Sequence, residues 1–424
     1  MGRDGPLGPQ PPAGQHRLDE HEALVVLASV EGLGPVTLGR LLRTVGSARA
    51  VLELARTRDA IGALLAASHD VDGLAREMKH KAAGNLVATA ARAEAVLARI
   101  RRSGVRFVTL DDDAYPRRLR AIEHPPHVLF LRGEAAALSA RRAVAVVGTR
   151  RPSEAGRRIA ARIAGAIARA GASVVSGLAV GVDGAAHAAV VAERGVTVGV
   201  LGGGHDRLFP PGHNRLAAAI LDTGGAIVSE LPPEADPGRG SFPRRNRIIS
   251  GLAEATVVVE AGARSGALLT ANWALEQGRE CFLVPGSIDS PTAAGCLAYL
   301  REFAGQARIV AGVPQLLEDL GLVELPDPLD GSRLEPNVAA VLAELGDGAR
   351  LVAAALVRGR TTADEIVATT TMPIAAVLGA LTLLEARRLV VSAYGRYRPT
   401  GRLAAEPTSA LRKIVGRARR STPA

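Results

Sequence analysis

Between residues 105 and 322, short runs of β-branched and apolar residues recur between alanine-rich stretches long enough to form helices. Strands that are apolar throughout must be buried on both faces, and strands separated by helices pair through crossovers. The pattern therefore predicts an α/β fold with a Rossmann-like, doubly wound, mostly parallel sheet. The strand candidates are 127–131, 143–147, 173–176, 197–201, 226–229, 255–260 and 280–284, preceded by an alternating run at 105–109. Several end in glycine-rich turns, and ligands of such sheets bind outside the carboxyl ends of the strands.

The flanking regions read differently. Residues 19–55 carry Leu24, Leu27, Leu38, Leu41 and Leu52 at helical spacing, interrupted at Glu31-Gly32-Leu33-Gly34-Pro35, and a further helical stretch covers 85–102. A Gly-x-Gly turn between two helices resembles a helix-hairpin-helix, whose exposed amides hold a DNA phosphate. An ordinary αα-hairpin has the same pattern and is the commoner case. Beyond a proline-rich break at Pro326 and Pro328, helices are expected at 338–345, 363–368 and 374–386, followed by strands at 389–392 and 396–398, the order of a winged helix. The division that follows is 1–17 disordered, 18–104 a helical (helix-hairpin-helix/SAM-like) domain, 105–322 the Rossmann-like domain, 323–334 a linker, 335–403 a winged helix, and 404–424 a disordered basic tail.

Composition narrows the class. Lysine and arginine number 52 against 42 acids, a formal charge of +10 that favours a polyanionic partner over an acidic small molecule. No uncharged apolar run reaches the eighteen or so residues of a membrane span, and residues 1–17 are rich in Gly, Pro and Gln, unlike a signal sequence. A cytoplasmic protein without a membrane partner is expected. Cys281 and Cys296 stand apart from any histidine cluster, so neither a disulfide framework nor a metal site is expected.

The chemistry-bearing residues lie at the strand ends. Gly148-Thr149-Arg150 follows the 143–147 strand and precedes a helix whose N-terminal amides favour an anion, with Arg150 as a forked clamp for phosphate. The G-x-G-x-x-G fingerprint and the Walker A loop are both missing, so no nucleotide cofactor is expected. The next turns hold Ser176-Gly177 and Gly202-Gly203, with Asn214-Arg215 farther on; such glycines let a phosphodiester backbone come close. Asp183 and His187 are four apart, as in a catalytic or metal pair, but no third ligand is near and an acid in a first helical turn is commonplace.

The most specific basic feature is a presumed loop, Arg239-Gly-Ser-Phe242-Pro-Arg244-Arg245-Asn246-Arg247, with four arginines and no acid in nine residues. Phe242 offers stacking and Asn246 hydrogen bonding, the equipment of a strand-binding groove, although a salt-bridged surface has the same composition. Removing Arg244 and Arg247 together is expected to leave the fold intact.

These motifs, with Tyr115-Pro116, His124-Pro-Pro126, Val259-Glu260-Ala261, Ser265-Gly266, Gln277-Gly-Arg279 and Val284-Pro285-Gly286, occur in an order that resembles the DprA/Smf family. The resemblance is dense over residues 111–295. It departs from the family at Cys296, where Asn is usual, and at Leu300-Arg-Glu-Phe303-Ala304. It implies a homodimer that binds and protects single-stranded DNA, loads RecA on it during natural transformation, and has no catalytic residues. The implied DNA pocket comprises Gly148, Thr149, Arg150, Ser176, Gly177, Gly202, Gly203, Asn214, Arg215, Phe242, Arg244, Asn246 and Arg247. The competing reading is a nucleotide phosphoribohydrolase of the lysine-decarboxylase-like group, whose Pro-Gly-Gly-x-Gly-Thr-x-x-Glu loop is missing here. A transcription regulator is a third, and the apolar helix at 374–386 argues against it.

Overall fold

The computed structural model describes residues 18–69, 78–238, 240–322, 342, 344–387, 389–393, 396–399 and 403. The segments 1–17, 323–334 and 404–424, assigned above to disorder, linker and tail, lie outside the described residues, and so does most of the helix expected at 338–345. The chain separates into two compact units, Met1–Leu322 and Val323–Ala424.

Among the described residues the first unit opens with six helices, α1 (Glu20–Ala28), α2 (Pro35–Val45), α3 (Ala48–Leu54), α4 (Ala60–Ala67), α5 (His80–Ala90) and α6 (Ala93–Arg102). The single helical stretch expected at 85–102 is thus two helices, broken at Ala91–Arg92. Asp19 begins α1 with a capping box to Glu22, and Ser47 caps α3. The apolar faces of these helices share one core with Val128 and Phe130 of the adjoining sheet edge, so the helical region is welded to the sheet.

The sheet has nine strands: β1 (Arg106–Thr109), β2 (Val128–Gly133), β3 (Ala143–Val147), β4 (Ser173–Ser176), β5 (Thr197–Val200), β6 (Ala226–Ser229), β7 (Ala255–Val258), β8 (Glu280–Leu283) and β9 (Ala307–Ile309). Their spatial order is β1-β2-β6-β5-β4-β3-β7-β8-β9. Strands β3 to β9 pair in parallel, whereas β1 and β2 form an antiparallel margin against β6. The connecting helices are α7 (Arg117–Arg120), α8 (Glu154–Arg169), α9 (Val182–Ala192), α10 (Asn214–Asp222), α11 (Ser241–Leu252), α12 (Gly266–Glu276), α13 (Ala294–Glu302) and α14 (Val313–Asp319). They cover both faces with separate apolar cores, which is why the central strands read as unbroken apolar runs. From β3 the chain winds one way through β4, β5 and β6, then returns to place β7 on the other side of β3. The switch point therefore falls between β3 and β7, where an open α/β sheet leaves a crevice for ligands.

The 239–247 segment is not a loop: from Ser241 it is the first part of α11. Pro243 lies in the first turn, where its missing N–H costs nothing, and Ile248, Ile249 and Leu252 are buried farther along. Helical burial outweighed the Gly and Pro signals that read as a loop.

The second unit contains α15 (Asp347–Val357), α16 (Ala363–Thr370) and α17 (Ile374–Ala386), followed by an antiparallel pair, β10 (Val390–Ala393) and β11 (Arg396–Pro399). Helix α15 was not anticipated from the sequence. No single helix among the described residues is long and apolar enough to cross a membrane.

Candidate nucleic-acid interface

At the switch point lies an open crevice of about 640 Å³. One wall is Gly148-Thr149-Arg150 after β3, another the start of α11 with Phe242 and Asn246, and a third the start of α12 with Ser265, Gly266 and Thr270. Phe209 and Gly238 complete its rim. Arg150 is exposed, with its guanidinium carbon 5.1 Å from the centre of the Phe242 ring. Phe242 in turn meets Phe209 edge to face at 5.8 Å between ring centres. Arg150 has no carboxylate partner among the described residues. A cation on an aromatic platform, beside a second ring, offers charge to a phosphate and a face to a base.

The expected residues divide into two groups. Gly148, Thr149, Arg150, Phe242 and Asn246 line the crevice. Asn246 donates to the Gly266 carbonyl at 3.1 Å, tying α11 to the start of α12. The other eight do not line it. Ser176 is buried and donates to Val146 O at 2.6 Å, while Asn214 and Arg215 sit exposed at the start of α10.

The packing itself requires three of the glycines. A Cβ on Gly177 would collide with the Arg245 guanidinium, one on Gly202 would lie 2.6 Å from the Phe242 ring, and one on Gly203 would press on Pro237. Backbone is thinned there so that crevice-forming residues can pack beneath it.

Three arginines of α11 are anchored rather than offered. Arg245 is buried, donates to Gly177 O at 2.7 Å and to Val200 O, and reaches Asn246 Oδ1 at 3.1 Å. Burial pushes its pKa down to about 10, against the pull of the nearby Asp183 carboxylate. Arg244 and Arg247 both donate to Glu230, at 2.7 and 2.6 Å, and Arg247 is only 3% exposed. The structure argues against the expectation that both could be removed harmlessly, because losing both leaves the buried Glu230 carboxylate without its two cations. Arg244 is turned away from the crevice, towards a cleft it shares with Gly32, Gly34 and Lys79.

The N-terminus of α8 is likewise occupied. Glu260 Oε2 accepts from the backbone N–H of Ser153 at 2.9 Å and lies 3.3 Å from its hydroxyl, and Oε1 accepts from Thr292. The expected anion seat is filled by the protein's own carboxylate. Asp183 accepts from Gly177 N at 3.1 Å, and burial raises its pKa against the opposing charge of Arg245. The Thr197 hydroxyl donates to Val174 O, so His187 Nδ1 must donate to Thr197 Oγ1, at 2.8 Å. Burial pushes the pKa of His187 down to about 3. Asp183 and His187 thus both serve the framework, and no hydrogen bond or ion pair is formed between them. No metal-holding cluster occurs among the described residues.

Phe209, Ser265, Gly266 and Thr270 were missed by sequence reasoning as parts of the site. Only the scarcity of aromatics, six Phe in the whole chain, could have singled out Phe209.

Fold and crevice together define a Rossmann-type α/β protein with a cationic, aromatic-backed site at its topological switch point. The family model for DNA recombination-mediator protein A matches residues 106–321. The chain belongs to that family. It is 40% identical over 310 residues to a putative DNA processing protein DprA of Mycobacterium tuberculosis, covering 70% of this chain and 77% of the relative. It is 42% identical over 209 residues to the DNA processing protein DprA of Bacillus subtilis, covering 49% and 70%. The X-ray structure of DNA processing protein A from Streptococcus pneumoniae superposes with a TM-score of 0.56 at 29% identity, covering 71% of this chain and 98% of that one.

Proposed function

We propose that the chain binds single-stranded DNA through the switch-point crevice and acts as a recombination mediator without catalytic chemistry of its own. The observation that carries this reading is Arg150, exposed, free of any described carboxylate partner and stacked on Phe242. Phosphate contact with a cation and stacking on one or two rings read no base edges, so binding should be strongly salt-dependent and weakly sequence-selective. Duplex DNA hides its base faces and cannot use the Phe242 platform. Family membership supports the wider role: a homodimer in the cytoplasm that protects a strand and passes it to RecA during natural transformation. The division into helical, Rossmann-like and winged-helix domains belongs to the same proposal, with α15 to α17 and the β10–β11 pair as the winged helix. The mostly apolar α17 suits a protein partner better than a major groove.

The phosphoribohydrolase reading gains nothing from the geometry, since both oxygens of Glu260 are engaged in holding α8 and Thr292. The deciding experiment is a mobility-shift comparison of single-stranded and duplex DNA across a salt series, with wild type and Arg150→Ala. Equal affinity for both forms of DNA, or an Arg150 variant that binds as well as wild type, sinks the proposal.

A further inference from the structure

Helix α8 leaves the crevice loop and runs its full length, Glu154–Arg169, along the surface of the sheet. Its buried side is apolar: Ala160, Ile163, Ala164 and Ile167. At 100° per residue the direction opposite that side carries Arg158, Arg162 and Arg169, all exposed, and Arg151 stands ahead of them in the loop. The ridge holds one acid, Glu154, paired with Arg158 at 2.6 Å between two largely exposed side chains. Glu193, just past the end of α9, meets Arg169. Arg151 and Arg162 have no carboxylate partner among the described residues.

Glu154 and Arg158 form the opposite-charge pair usual on a solvated helix face. Beyond them the ridge turns like-charged: Arg158 and Arg162 are four apart, an arrangement that destabilises a helix until a further counter-charge arrives. The ridge starts beside Arg150 and extends about 24 Å, the length of a sixteen-residue helix. That distance spans roughly seven phosphates of a stacked strand, at ~3.4 Å each.

We infer that the arginine ridge of α8 is a phosphate track that carries the DNA strand onward from the crevice. The inference rests on the proposed strand binding and extends it from a pocket to a path. Its contacts are ionic and exposed, so they add affinity only for strands long enough to leave the crevice.

The test uses the full chain and fluorescent oligothymidylates of about 6 and about 20 nucleotides, titrated across a salt series. The variants are Arg158→Gln/Arg162→Gln/Arg169→Gln, the matching triple Lys variant, and Arg150→Ala. For the Gln variant, affinity for the short strand should stay within about twofold of wild type, while the longer strand binds ~10-fold or more weakly and its log–log salt slope falls by about 2. The Lys variant keeps the charge and should recover most of the loss, which separates track from misfolding. Unchanged long-strand affinity and slope in the Gln variant overturns the track, as does an equal loss for both lengths. If Arg150→Ala binds both lengths normally while the Gln variant loses the long strand, the track stands and the crevice reading falls.

Discussion

The guanidinium of Arg245 occupies the space that a Cβ on Gly177 would need. Its hydrogen bonds to the carbonyls of Gly177 and Val200 fasten α11 to the ends of β4 and β5, and so set where Phe242 stands. Gly177→Ala should therefore act twice, lowering stability by about 2–4 kcal/mol through overpacking beside a buried charge and weakening strand binding by displacing Phe242. Urea unfolding and fluorescence anisotropy on one preparation check both effects; wild-type values in either refute the coupling.

Arg150 makes no such framework contact. Arg150→Ala should change stability by less than about 0.5 kcal/mol, while reducing the salt slope for single strands by about 0.7, the release of one counterion. Thermal melts and a salt titration measure the two quantities separately.

Arg247→Ala is the opposite case. It leaves Glu230 buried with one partner fewer and should cost about 3–5 kcal/mol. Arg244→Ala, at a half-exposed site, should cost about 1 kcal/mol or less. A harmless Arg247→Ala would mean that the Glu230 pair carries no structural role.

Stability should fall in mild acid. Burial holds His187 at about 3 and His205 at about 4, against about 6.5 in an unfolded chain. Between those values the unfolded state takes up the protons, so stability is full above about pH 6.5 and declines as pH drops towards 4, by on the order of 2 kcal/mol per histidine between pH 7 and 5. Asp183, its pKa raised by burial, works in the opposite direction. Unfolding free energies of wild type and His187→Gln across pH 5–7 isolate the histidine contribution, and parallel curves count against it.

No hydrolysis of ATP or nucleoside monophosphates is expected. Glu260→Gln should reduce stability by about 1–3 kcal/mol as the capped start of α8 loosens. Turnover in wild type that disappears in this variant would restore the enzyme reading.

The central strands were legible because burial on both faces leaves runs such as Ala143–Val147 unmistakable, and the glycine turns marked the carboxyl ends of those strands. The fate of the basic side chains was not. Arg150 and Arg247 look alike in sequence, and only the packing of α11 against Glu230 turns one into framework while the other faces solvent. Strand β9, three residues long, carried too little pattern to be read, whereas helix α15 was missed although Ala349, Val352, Ala353 and Leu356 stand at helical spacing. Phe209 reaches the crevice across the fold, a proximity that no local spacing encodes.

The carboxylate of Glu260 at the start of α8 has a consequence for life among abundant small nucleotides. Sheets of this architecture ordinarily seat a pyrophosphate on that helix end, and here a side chain already holds the place. ATP and NAD should therefore bind the crevice weakly. On the proposed reading, the crevice is thereby left to a DNA strand.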